Sequence, residues 1–161
     1  AITAHFHGLQ EIDFIFFIVG FIGMLVTLPL VMYREFIYKQ IPDPNKPLTC
    51  IFTALFSILI FGYLNSAQNI SSEFVFGLYA IACIFYVFSF YKLVSYRNLE
   101  FYPSFSAFTF PFVISALATK GIVGKISSNI LLNDILIFET VIATVLVVYV
   151  LIKYAIFLKK K

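Results

Sequence analysis

Glu139 is the only carboxylate that lies well inside a long apolar run. An ionisable side chain in hydrocarbon costs a few kcal/mol unless it is paired, so such a residue faces a bundle interior, stays protonated, or lies near enough to an interface to be wet. The first two readings make Glu139 a proton site or an ion-pair partner for a distant cation. The third follows from Asn133 and Asp134 just before it. A second pattern is the hydroxyl series Thr49, Thr53 and Ser57, whose i, i+4, i+8 spacing puts them on one helix face. Such hydroxyls line a polar path without the penalty of charge, or bond their own helix and a neighbouring one. His5 and His7 form an H-x-H pair with no acidic or cysteine partner beside it, and Cys50 and Cys83 stand alone in apolar runs. No metal site and no cofactor are predicted from them. The cysteines read as small apolar filler. No HExxH, nucleophile elbow or glycine-rich phosphate loop occurs, which argues against an enzyme.

The elements that carry these residues are set by composition. Of 161 residues, 61% are hydrophobic and only 12% charged, about half the charge of an ordinary soluble domain. So much apolar surface needs lipid, and long continuous runs rather than strict alternation make the class all-α integral membrane rather than a β-barrel. Five spans are expected, at about 14–32, 49–64, 74–93, 104–122 and 135–154, in a single transmembrane domain over 1–161. Pro42, Pro44 and Pro47 break the chain after the first span. Short connections make successive helices antiparallel neighbours. Gly20 and Gly23 suit close helix approach, and Pro29 a bend. The chain opens on Ala1 with no basic region before a short apolar core, so no signal peptide and no natural N-terminus are expected here.

Basic residues fix the expected orientation. Arg34, Lys39, Lys46, Lys92, Arg97, Lys153, Lys159, Lys160 and Lys161 fall on one side of the five spans, and only Lys120 and Lys125 on the other. The positive-inside rule puts the first group, and with it the C-terminus, in the cytoplasm of a multi-pass protein of the plasma or inner membrane. The net charge of +3 is then a topology signal, helped by anionic lipid, and calls for no nucleic acid.

The fourth span, FSAFTFPFVISALATK, places Pro111 near its middle with Phe110 directly before it. A proline in a helix interior removes the hydrogen bond to the carbonyl of Ala107 and costs roughly 3 kcal/mol. Broken helices are tolerated in a membrane where they are buried in protein or line a wet cavity. With Ser106 and Ala107 one turn earlier, Phe110 is a large ring on a slim stripe. Two readings stay open: a pore lining with a plug, or a packing kink with phenylalanine as filler.

FYPSFSAFTFPFVISALATK resembles the ninth helix of the tellurite-resistance/dicarboxylate transporter family, whose relatives include yeast malate permease and plant guard-cell slow anion channels. IPDPNKPLTCIFTALFSILIFGYL resembles that family's connection into helix seven, and YREF the end of helix six. The resemblance implies that the chain is the C-terminal half, helices six to ten, of a ten-helix quasi-fivefold anion channel fold, with an N-terminal half missing. It implies Phe110 as pore gate and Pro111 as pore kink, with Thr49, Thr53, Ser57, Ser106 and Ala107 lining the pore. It further implies transport of small anions (C4-dicarboxylates such as malate, tellurite or other oxyanions, halides) and a homotrimer. Relatives often carry a proline where this chain has Leu55, which puts the pore shape near Thr53 and Ser57 in question. A non-conducting membrane subunit or plain helical bundle is the rival reading.

Overall fold

The computed structural model describes residues 10–38 and 41–159. His5, His7, Lys39, Lys160 and Lys161 lie outside them. Five helices follow in order: α1 (Gln10–Tyr33), α2 (Phe52–Ser66), α3 (Ser72–Ser95), α4 (Thr109–Lys125) and α5 (Ile130–Lys159). No strand occurs among the described residues. Each helix, with the turns that extend it, is long and apolar enough to cross a membrane.

α2 and α4 do not begin as α-helix. Each is led in by a 3-10 segment, Asp43–Ile51 before α2 and Pro103–Phe108 before α4. Both segments start at or next to a proline, whose fixed φ suits a first helical position and whose missing N–H costs nothing there. α1 contains Pro29 and passes into a wider turn at Arg34–Tyr38. Short links give the other boundaries. Ser71 caps α3 by accepting from the Phe74 N–H at 3.4 Å, and Asn129 Oδ1 accepts from the Leu132 N–H at 2.8 Å at the start of α5.

Three cross-helix ties set the up-down order. Thr53, early in α2, meets Ser89, late in α3. Lys92, near the end of α3, pairs with Glu35 just past α1. Lys125, at the end of α4, donates to the carbonyl of Leu64 at 2.7 Å and to Asn65 Oδ1 at 3.0 Å, satisfying acceptors at the end of α2 that have no helical donor. α1 and α3 therefore run one way and α2 and α4 the other, and α5, whose Tyr154 late in the helix donates to the Pro103 carbonyl ahead of α4, runs against α4.

The main core joins Phe17 and Met24 of α1, Phe56 and Ile60 of α2, Val75 and Leu78 of α3, and Ala118 and Ile122 of α4. α2 is the most enclosed helix, whereas α1 and α5 turn long apolar faces outward, as lipid-facing helices do. Gly20 and Gly23 have no heavy atom within 4 Å of a built Cβ, so within this chain they make no close approach. That role falls to Gly121, packed on Leu64.

Candidate functional site

The lead-in to α4 is held from three sides. Tyr154 of α5 donates to the Pro103 carbonyl, and Ser104 donates to the Pro44 carbonyl in the first 3-10 segment. Phe105 and Phe108 stack edge to face at 5.1 Å and bury themselves with Cys50. Ser106 Oγ donates to the Pro103 carbonyl at 3.1 Å, and Thr109 Oγ1 to the Ser106 carbonyl at 2.7 Å. The switch from 3-10 to α-helix thus falls at Thr109, and Pro111 stands in the first turn of α4 rather than in a helix interior. The penalty expected for a mid-helix proline does not arise in that turn, because its N–H would have had no α-helical partner.

Pro111 is enclosed, and so are Phe112, Ser115, Ala118, Thr119 and Ile122. Phe110 is 52% exposed. It heads an open α4 face continued by Val113, Leu117 and Lys120. A ring of this size is left outward while Phe108 and Phe112, two residues to either side, are packed away. Ser106 is on the open side too, whereas Ala107 is buried. The expected lining therefore divides: Ser106 and Phe110 share an open side, and Ala107 and Pro111 lie behind it.

Thr49, Thr53 and Ser57 are all buried. Thr53 Oγ1 donates to the Phe85 carbonyl at 2.8 Å and lies 2.6 Å from Ser89 Oγ, which reaches the Cys50 carbonyl at 3.2 Å. Ser57 Oγ donates to the Thr53 carbonyl at 3.0 Å, and Thr49 Oγ1 to the Lys46 carbonyl at 2.9 Å. Of the two uses open to such hydroxyls, Thr53 serves the α2–α3 seam and the other two serve their own helix. Thr49 also borders a cavity of about 270 Å³ between α1 and the lead-in to α2, beside Arg34, Glu35 and Asn45.

Glu139 is 3% exposed, which corrects the reading of a wet interfacial carboxylate. Ser115 Oγ donates to its Oε1 at 2.7 Å, and Thr119 Oγ1 to its Oε2 at 2.6 Å. Tyr79 of α3 is 3.1 Å from Thr119 Oγ1. The sequence reading missed Ser115, Thr119 and Tyr79. Their signal was available, since Ser115 and Thr119 repeat the i, i+4 hydroxyl spacing on the helix that forms a hairpin with α5. It also missed the Lys92–Glu35 ion pair at 2.8 Å, with the Lys92 ammonium near the rings of Phe88 and Tyr96. Among the described residues no group of three or more His, Cys, Asp or Glu side chains is placed to hold a metal.

The family model for the voltage-dependent anion channel, SLAC1, matches residues 1–156, in keeping with the tellurite-resistance and dicarboxylate resemblance. No curated protein matches the chain, and no solved structure does. That family is one of channels and transporters for anions rather than of enzymes. With a family match over nearly all of its length and five helices that can each cross a bilayer, this multi-pass membrane chain belongs to the SLAC1 family of voltage-dependent anion channels.

Proposed function

We propose that the chain forms one side of a membrane path for small anions, occluded by the ring of Phe110. The observation that carries this reading is the contrast at one helix turn: Phe110 is half-exposed while Pro111 and Phe112 beside it are fully packed. A core-filling phenylalanine gains free energy only by burial, so a ring left outward on an inner helix is free to occlude and to swing. Ser106 lines the same side. Thr53, Ser57 and Ala107 are buried behind that side, and Thr49 borders the separate cavity at Arg34.

The transported species are small anions, with C4-dicarboxylates such as malate, oxyanions such as tellurite, and halides as the candidate classes. The open α4 face offers one cation, Lys120, and otherwise apolar and hydroxyl groups. Selection then follows dehydration cost and ion size rather than tight binding. By the distribution of basic residues the C-terminus is cytoplasmic in the cell membrane. The lipid-length apolar faces of α1 and α5, together with the family resemblance, favour completion of the path by five further helices and assembly as a trimer.

The test is anion flux in liposomes holding the full-length protein, wild type against Phe110→Ala, across a panel of chloride, nitrate, malate and tellurite. Higher flux in Phe110→Ala supports the gate, and the panel ranks the anions. Equal flux under every driving force ends the gate reading. No flux in either protein leaves the non-conducting subunit in its place.

A further inference from the structure

We propose that Glu139 is a reversible proton-binding site whose hydrogen bonds clamp α4 to α5 one turn beyond Pro111. Its carboxyl is enclosed in a span of the membrane, and no cation pairs with it among the described residues. Each carboxyl oxygen meets a different hydroxyl of α4, Ser115 at 2.7 Å and Thr119 at 2.6 Å. The titratable groups that face it come from α3: Tyr79, Cys83 and Tyr86. Those of α4, Lys120 and Lys125, are directed elsewhere, Lys120 to the open groove between α4 and α5 and Lys125 to the end of α2. On α5 itself the titratable groups next along the chain are Asp134, which is exposed, and Tyr149 and Lys153, whose charge and ring meet each other. The lead-in to α4 contributes none.

What distinguishes this cluster from a merely buried acid is that both protonation states can be satisfied without moving the backbone. When Glu139 is ionised, the Ser115 and Thr119 hydroxyls donate to its two oxygens, and Tyr79 donates to Thr119 Oγ1. When one proton is added at Oε2, the new O–H donates to Thr119 Oγ1. Thr119 then turns its own proton to the Tyr79 oxygen, and Tyr79 turns its proton toward the neighbouring Cys83 of the same helix. Each hydroxyl keeps one proton throughout, since hydroxyls accept as readily as they donate. The net change is one proton gained and a reversed chain of donors across α3, α4 and α5.

A separate observation points to the same place. Tyr86 Oη is buried, its residue 7% exposed, and has no hydrogen-bond partner. It lies within electrostatic reach of Glu139, and its ring packs on Phe112 at 5.1 Å. An orphaned hydroxyl in hydrocarbon is costly, and here it keeps a further polar group within electrostatic reach of a carboxyl whose charge changes.

Infrared difference spectra of the full-length protein in lipid test the site directly. Acidification should raise a protonated-carboxyl C=O band, shifted by 13C-glutamate labelling, lost in Glu139→Gln and kept in Glu35→Gln. A spectrum unchanged by Glu139→Gln, or a band that does not respond to pH, overturns the proposal. Where Glu139→Gln fails to fold by circular dichroism, the pair Ser115→Ala with Thr119→Val takes its place. Removing both partners must shift the wild-type band, and an unmoved band overturns the assignment. The band reports proton binding with no anion movement. Failure of the flux experiment therefore leaves it standing, and its own failure leaves the anion path untouched.

Discussion

A Cβ built on Gly121 stands 2.9 Å from Cδ1 of Leu64, so α2 and α4 meet through the absence of a side chain. Leu64 is 2% exposed and has little room to withdraw. Gly121→Ala should therefore cost about 1–3 kcal/mol of overpacking, offset by up to about 1 kcal/mol of better helix propensity, and Gly121→Val should cost more. Combining Gly121→Ala with Leu64→Ala should cost less than the sum of the two changes, because the cavity receives the added methyl. Unfolding in detergent, followed by circular dichroism, gives the comparison. Additive costs would show that the two residues are not in contact.

The pair formed by Lys92 and Glu35 ties α3 to the end of α1 with the carboxylate almost enclosed, its side chain 5% exposed against 22% for the lysine. Removing the lysine strands the more buried charge. Lys92→Met is expected to lower stability by up to about 3 kcal/mol, as breaking a buried pair does. Glu35→Gln leaves the better-solvated partner and should cost less. The double variant should recover part of the loss, which a double-mutant cycle in the same unfolding assay measures.

Two neighbouring phenylalanines should separate stability from conduction. Phe108 is 2% exposed between Phe105 and Cys50, so Phe108→Ala should cost about 3–5 kcal/mol. Phe110→Ala removes a ring that packs on little within the chain and should shift the melting temperature far less, while raising anion flux. Equal melting losses for the two variants would mean that Phe110 is buried in the assembled protein.

The orientation is open to labelling. In a background lacking Cys50 and Cys83, impermeant thiol reagents added outside should reach Ser71→Cys and Ser127→Cys, and should spare Arg97→Cys until the membrane is opened. Labelling of Arg97→Cys from outside would invert the assignment.

How much of this was legible in the sequence depended on the range of the interaction. The helical membrane class followed from continuous apolar runs, because lipid demands that each crossing segment satisfy its own backbone. The lead-ins were not legible: Pro111 reads as a mid-helix break until the 3-10 segment Pro103–Phe108 moves the start of α4 to Thr109. Helix faces were the next gap. Spacing put Thr49, Thr53 and Ser57 on one face but could not say that Thr53 alone of them bonds to α3, since that depends on side chains tens of residues away. Glu139 drew notice for its charge alone. Its partners Ser115 and Thr119 are ordinary hydroxyls whose role appears only once α4 and α5 are side by side.

The α4–α5 hydrogen bonds also bear on how the chain enters the bilayer during synthesis. α4 is the least apolar of the five spans and α5 the most, and α5 carries the enclosed carboxyl of Glu139. Entering lipid singly, α4 would expose the hydroxyls of Ser115 and Thr119, and α5 would expose Glu139, with nothing to meet them. Partitioning as a hairpin, joined by the short turn before Asn129, brings these groups together before either helix faces hydrocarbon. The ribosome must then release both helices before either leaves the insertion machinery, which makes α5, although it is made after α4, the helper that carries α4 into the membrane.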